Sequence, residues 1–249
     1  MNDLVSIIIP YYKKKIFFKK TINSVQQQTY KNLEIILIYD DSDKSDLLFI
    51  KRVLKKFVNK KIIINKKNLG VGRARNAGIL KSRGKFIAFL DADDIWHKDK
   101  IKQQIHFMKK NNVSFSFTNY SIVNKNLKVI KEIKVPTKVS YRSLLFACNI
   151  GLSSVVLKSN LLKNNKFSAL KTKEDYLLWL ELSKKNIKMI GINRSLVSWR
   201  KTNNSLSSST IQKIKDAYTI YSKHLMFSFI KSVYYVLILS LNFLKKRYL

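Results

Sequence analysis

Short, continuously apolar runs alternate with amphipathic stretches through the first ninety residues. Leu4 to Ile9, Leu33 to Tyr39, Lys61 to Ile64 and Phe86 to Leu90 are the runs. Their length and richness in isoleucine predict strands buried on both faces. Between them, Phe17 to Gln28, Leu47 to Phe57 and Arg73 to Ser82 carry apolar residues at helical spacing. Strands that alternate with helices predict an α/β fold, with a Rossmann-like, doubly wound sheet.

The pattern then changes. Val113 to Tyr120 and Leu127 to Ile133 alternate apolar and polar residues, which predicts exposed antiparallel strands and makes the sheet mixed. Leu161 to Lys166 ends a helical stretch, and Lys173 to Lys185 reads as an amphipathic helix whose apolar surface is Leu177, Leu178, Leu180 and Leu182. Lys188 to Ile192 predicts a short strand. Asn203 to Ser209 is polar and aperiodic, and reads as a mobile loop. The division that follows is a domain over 1–210, with halves 1–119 and 120–210, and a helical segment over 211–249.

That last segment ends in an apolar stretch, Met226 to Ile230 and Val233 to Leu241, interrupted by Lys231 and followed by Lys245-Lys246-Arg247. A spanning helix needs ~20 apolar residues without such breaks. An amphipathic helix lying on an anionic membrane surface fits, with Tyr234 and Tyr235 at the interface. A terminal helix packed on the domain or on a second subunit has the same pattern.

Composition narrows the classes. The 249 residues are 46% hydrophobic and 12% aromatic, enough for a substantial core. There are 49 Lys and Arg against 15 Asp and Glu, a formal charge of +34. Nucleic acid, an anionic membrane or phosphorylated substrates are the partners such a charge suits. Zinc-ligand spacing, an RNA-recognition motif and a helix-turn-helix pattern are all lacking, so the chemistry favours no nucleic acid; a basic nucleic-acid-binding protein on a Rossmann-like core is the alternative. The lone Cys148 forms no intrachain disulfide and reads as a small buried hydrophobe. Ser6 to Pro10 is too short and too early for a signal peptide, which points to a cytoplasmic protein, peripheral on the inner face of the membrane.

Against this basic background, four clusters fall at predicted strand ends. They are Pro10-Tyr11-Tyr12, Asp40-Asp41-Ser42, Asn68-Leu69-Gly70 running into Arg73-Ala74-Arg75-Asn76-Ala77-Gly78, and Asp91-Ala92-Asp93-Asp94. Singly, each has a plain reading as a turn, a helix cap or a solvated helix face. Together they offer an aromatic wall, carboxylates for a base or ribose, cations for phosphate, and two carboxylates that suit a hard divalent cation. A nucleotide diphosphate needs that set.

In order and spacing the motifs resemble the inverting family-two glycosyltransferases, which bind nucleotide-sugars on a GT-A fold. Val5 to Tyr12 looks like that family's opening strand and turn, and Glu34 to Ser42 like its second strand with the uridine-contacting Asp, here Asp40 or Asp41. Asn68-Leu69-Gly70 with Ala74 to Gly78 is similar to a second signature, and Gly84 to Asp94 to the strand that carries Asp-x-Asp. Glu174-Asp175 resembles a late Glu-Asp motif. The resemblance implies an enzyme that moves a sugar from a nucleotide-sugar, a UDP-sugar by preference, to a glycan or lipid-linked saccharide acceptor in surface polysaccharide biosynthesis, with transfer to a protein or free oligosaccharide as the alternative. It implies Mn²⁺ or Mg²⁺ at Asp91 and Asp93, and donor contacts from Pro10, Tyr12, Asp40, Asp41, Gly70, Arg73, Arg75, Asn76 and Asp91. Asp175 is the implied general base and Glu174 its orienting neighbour. Relatives often carry a His where this chain has Thr202, and Arg200 and Lys201 are expected to neutralise the leaving diphosphate. Asn149, Gly151, Ser153 and Ser154 are candidates for the acceptor side.

Overall fold

A computed structural model describes residues 2–202 and 209–248, the side chains of 246–248 excepted. The predicted loop at Asn203 to Ser209 therefore lies, Ser209 apart, outside the described residues. Parallel strands β1 (Val5–Tyr11), β2 (Leu33–Tyr39), β3 (Lys60–Ile64) and β4 (Phe86–Phe89) stand in the order β3-β2-β1-β4. Beyond β4 come β9 (Val156–Lys158), β6 (Phe115–Val123), β10 (Met189–Arg200) and β5 (Ile95–Trp96). Two edge pieces complete the sheet: β7 (Val129–Ile133) on β6, and β8 (Lys138–Val139) on β10.

The sheet is mixed because β9 runs antiparallel to both β4 and β6, while β10 is parallel to β6. Two reversals bring β6 and β10 back to the direction of β4. The carboxyl ends of β1, β2, β3, β4 and β10 therefore open on one edge, where ligands of open α/β sheets bind.

Alternate strand residues feed two separate cores. Ile7, Ile9, Ile35, Leu37, Ala88 and Leu90 face a layer formed by α1 (Lys15–Gln26), α2 (Lys44–Leu54) and α4 (Lys100–Lys110). Ile8, Ile36, Ile38, Ile87 and Phe89 face the other layer, which includes α3 (Val71–Leu80), α5 (Tyr141–Phe146) and α6 (Glu174–Lys184). This is the doubly wound arrangement that the apolar runs predict.

Three local expectations are corrected. Phe115 to Asn119 are all buried, so β6 is an interior strand and only β7 is an exposed antiparallel one. Helix α6 buries Tyr176 to Leu180 without a break, so it is a core helix and not an amphipathic one; Trp179 and Phe115 meet edge to face at 4.9 Å. Leu161 to Lys166 holds only the end of a short 3₁₀ turn, Ser159–Leu162.

The segment after 210 is continuous with the second core. Helix α7 (Thr210–Thr219) anchors through Asp216, whose Oδ2 accepts from the Thr172 amide at 2.7 Å and hydroxyl at 2.8 Å. Helix α8 (Phe229–Tyr248) buries Val236 and Leu239, stacks Tyr235 on Tyr221, and ties down through Asn242 Nδ2 to the Phe146 carbonyl at 2.9 Å. Among the described residues, no helix is long and apolar enough to cross a membrane.

Candidate active site

The loop after β1 crosses the sheet edge through three successive lysines. Lys13 sits at φ +51°, a left-handed conformation that lysine adopts at a cost, and its amide donates to Asp41 Oδ2 at 2.9 Å. Lys14 Nζ lies 2.6 Å from Asp93 Oδ2, and Lys15 Nζ lies 2.9 Å from Asp46. Tyr11 is fully buried and donates to Asp46 Oδ2 at 2.6 Å, which leaves Tyr12, 39% exposed, as the aromatic side chain at the mouth.

At the end of β2, Asp40 is a loop tie. Its carboxylate accepts from Asn65 Nδ2, from the Leu69 amide and from the Gly70 amide at 2.7, 2.9 and 3.1 Å, and its carbonyl accepts from Asn68 Nδ2. Gly70 at φ +83° then starts α3, a conformation that a side chain would strain. Asp41, its neighbour, takes the Lys13 and Ser42 amides. The Asp40-Asp41 pair thus holds two loops at the sheet edge.

Helix α3 brings Gly72 and Asn76 to bear on other elements. Gly72 passes the 168 carbonyl so closely that a Cβ would lie 2.1 Å from its oxygen. Asn76 exchanges hydrogen bonds with the Phe167 backbone, donating at 2.8 Å and accepting at 2.9 Å. Its amide is thereby committed to the fold. Arg73 is exposed.

Arg75 is the centre of the site. It is 3% exposed; Nη2 pairs with Asp91 Oδ1 at 2.7 Å, Nη1 pairs with Glu174 Oε1, and the Phe167 ring lies 5.5 Å away. With both Nη atoms on carboxylates, Arg75 joins the two acidic motifs and is not a free phosphate cation. Its partner Glu174 opens α6, after Lys173 in a left-handed conformation. Burial, with Asp175 adding repulsion, pushes the Glu174 carboxyl up to about 7 against the pull of Arg75. Burial likewise raises Asp175, whose Oδ1 accepts from the Tyr176 amide at 2.7 Å.

The loop after β4 is braced from two sides. Asp94 is buried; its Oδ2 accepts from Ser153 Oγ at 2.6 Å and its Oδ1 from the Arg200 amide at 2.9 Å. Ser153 Oγ also accepts from the Asp91 amide at 3.1 Å, so this hydroxyl fixes both ends of the cluster. Arg200 is 2% exposed and donates from Nε to the Asp93 carbonyl and from Nη1 to the Lys125 carbonyl, with its guanidinium 4.6 Å over Phe17. It holds the loop after β4. Ser153 and Ser154 are both buried and braced inside the protein, so neither lines an acceptor surface. Lys201 is exposed.

Asp91 and Asp93 present the hard oxygen donors that Mg²⁺ and Mn²⁺ take. Among the described residues, no group of three or more His, Cys, Asp and Glu forms a metal cage. A cation here would complete its shell with water and diphosphate oxygens, which is the usual habit of Mg²⁺. The residues fit a metal that arrives with its nucleotide.

Sequence reasoning brought Tyr12, Asp41, Asp91, Asp93, Glu174 and Asp175 to one edge. It missed Lys14, and it set Ser153 on the acceptor side, not as the brace of the loop after β4. A lysine in a Lys-Lys-Lys run and a serine among many carry no local signal; their meaning comes from partners 79 and 59 residues away.

Comparison with known proteins agrees with this fold. S. aureus TarS 1-349 in complex with UDP-GlcNAc superposes with a TM-score of 0.71 at 19% identity, over 87% of this chain and 64% of that one. The chain thus spans a little under two thirds of that structure. The mannosyltransferase PcManGT from Pyrobaculum calidifontis, in complex with GDP-Man and Mn²⁺, superposes with a TM-score of 0.70 at 14% identity, over 92% and 66%. In sequence, the chain is 37% identical over 217 residues to the UDP-Glc:alpha-D-GlcNAc-diphosphoundecaprenol beta-1,3-glucosyltransferase WfgD of Escherichia coli, covering 86% of this chain and 84% of that protein. The sequence profile of Glycosyl transferase family 2 matches residues 6–164, and the chain belongs to that family.

Proposed function

We propose that this glycosyltransferase moves a sugar from a UDP-sugar to a saccharide carried on a lipid diphosphate, with inversion, in the assembly of a surface polysaccharide. The observation that carries the reading is the Arg75 bridge, which sets Asp91 of one acidic motif and Glu174 of the other on a single guanidinium. Donor leaving group and acceptor hydroxyl would then meet between Asp91-Asp93 and Glu174-Asp175. The relative's name supports the donor and acceptor classes, since WfgD is named for a UDP-sugar and a diphosphoundecaprenol-linked acceptor.

Asp175 accepts the proton of the attacking hydroxyl, and its raised pKa suits a base that must hold that proton. Glu174, locked on Arg75, fixes the first turn of α6 and so the position of Asp175. Tyr12 offers a ring face to the base, and Arg73 and Lys201 are exposed cations for the phosphates. Asp91 and Asp93 would hold Mn²⁺ or Mg²⁺, which supplies charge neutralisation to the departing diphosphate. The outer face of α8 lies on an anionic membrane, where a lipid-carried acceptor would be found.

The test is release of nucleoside diphosphate from a panel of nucleotide-sugars, with a lipid-diphosphate-linked saccharide as acceptor, in Mn²⁺ and in EDTA. Acceptor-dependent release of UDP from one UDP-sugar, lost in EDTA and in Asp93→Asn, is the expected outcome. Release that is undiminished in both would remove the metal from this reading. Turnover of only GDP- or dTDP-sugars would overturn the donor.

A further inference from the structure

Lys14 is the residue before α1, and its carbonyl accepts from the Phe17 and Phe18 amides at 3.0 Å. Its Nζ lies 2.6 Å from Asp93 Oδ2 and 3.3 Å from Thr202 Oγ1, so it joins the loop after β4 to the chain after β10. The pair is largely out of water, with side chains 21% and 13% exposed. That sets it apart from the neighbouring Lys15–Asp46 pair, in which Lys15 is 47% exposed. The left-handed Lys13, held by Asp41, precedes Lys14 in the loop and is part of how the loop crosses the sheet edge.

Asp91 and Asp93 therefore each already have a cationic partner. Asp91 and Glu174 share Arg75, and Asp93 has Lys14. A bare divalent cation arriving at Asp93 Oδ2 meets an ammonium on the same oxygen, and like charges at that range repel strongly. A cation that arrives with a diphosphate differs, because the phosphate oxygens give Lys14 a new anionic partner as it leaves Asp93.

We propose that Lys14 is the resident counter-ion of Asp93: it keeps free divalent metal out of the nucleotide-free site and turns to the diphosphate when metal and nucleotide enter together. The inference rests on the placement of a metal at Asp91 and Asp93 proposed above. It makes metal and nucleotide binding cooperative, with Lys14 as the coupling element.

The experiment is Mn²⁺ titration followed by electron paramagnetic resonance, with and without UDP, corrected for the Mn²⁺ that UDP binds by itself. Wild-type protein should bind Mn²⁺ alone weakly and tighten by ~10-fold or more with UDP, within the usual range of coupling between sites. Lys14→Met should bind Mn²⁺ alone ~10-fold more tightly than wild type, and so lose most of the gain from UDP. Lys14→Arg, which keeps the charge, should behave like wild type. Thr202→Val keeps the lysine but removes its second anchor, and should fall between; it serves if Lys14→Met does not fold. Equal affinity of wild type, Lys14→Met and Thr202→Val for Mn²⁺ alone would overturn the role of Lys14 and leave the metal site standing. Absence of Mn²⁺ binding in every protein, with UDP present, would overturn the metal site and this role with it.

Discussion

Two adjacent carboxyls, Glu174 and Asp175, are tuned by what surrounds them. Both are raised by burial, and Arg75 opposes the rise in each. Only Glu174 makes the direct ion pair, so Asp175 keeps the freer oxygens for an acceptor proton. Asp175→Asn retains shape and removes basicity. It should lower kcat by about 10² or more, the common scale for loss of a general base, and leave the donor KM nearly unchanged. Steady-state UDP release measures both. A lowered donor affinity with kcat intact would make Asp175 a structural first-turn acid. The pH dependence has a definite sign. The base must be ionised, so activity falls as pH falls through its pKa, and a raised pKa places that acid limb above the ordinary aspartate range. The acids themselves were legible as Asp-x-Asp and Glu-Asp. Their connection was not, because Arg75 and Glu174 are 99 residues apart and no local pattern encodes their meeting.

Strands and helices set those side chains in place, and the first half of the chain announced its elements openly. Long isoleucine-rich runs with helices between them can bury two faces only as a parallel sheet. The second half was harder to read for a physical reason. Strands β5, β8 and β9 have two or three residues each, too few to show a period, and β6 is buried although its sequence alternates. The alternation misled because Ser116, Thr118 and Asn119 are polar side chains inside the protein, and hydrogen bonds satisfy them. Helix α4 holds an exception to that rule. Lys100 is fully buried, lies 4.2 Å over the Trp96 ring, and its Nζ has no hydrogen-bond partner among the described residues. Burial drives its pKa well below the ordinary lysine value. The folded state therefore binds this proton less readily than the unfolded chain does. Stability contributed by the neutral form rises with pH from that lowered value towards ~10.4, and is lost as pH falls. Lys100→Met should stabilise the protein at neutral pH by about 1–3 kcal/mol, the usual cost of burying an unpaired polar group. It should also flatten the rise of stability with pH. Urea unfolding at several pH values reads both effects; a destabilised variant with an unchanged pH slope would mean that the Lys100 ammonium is paired in the folded protein.

For the molecule as a whole, the C-terminal helix poses the question of what lies outside the fold. Its inner face, through Tyr235, Val236, Leu239 and Asn242, belongs to the second core. Its outer face exposes Ile230, Tyr234, Leu237, Leu241 and Leu244 in one row, with Lys231 and Lys245 also exposed. Helical spacing of 4, 3, 4 and 3 residues is also that of a coiled-coil seam, so a second copy of the chain is the rival occupant. Charge argues for the membrane surface proposed above. A chain of net +34 repels its own copy and is drawn to an anionic surface, where each basic residue near the lipid contributes ~1 kcal/mol. Replacing Ile230, Leu237 and Leu241 together with Gln keeps helix propensity and leaves the inner face untouched. The triple variant should lose at least ~10-fold in affinity for phosphatidylglycerol vesicles, a modest share of the transfer free energy of three apolar side chains. Its melting and its binding of UDP should be unchanged. Wild-type binding should weaken with salt but persist, because screening removes the electrostatic part and leaves the apolar one. If the wild-type protein ignores such vesicles and sediments as a dimer that the triple variant dissolves, the row is a seam between two copies and the membrane reading falls.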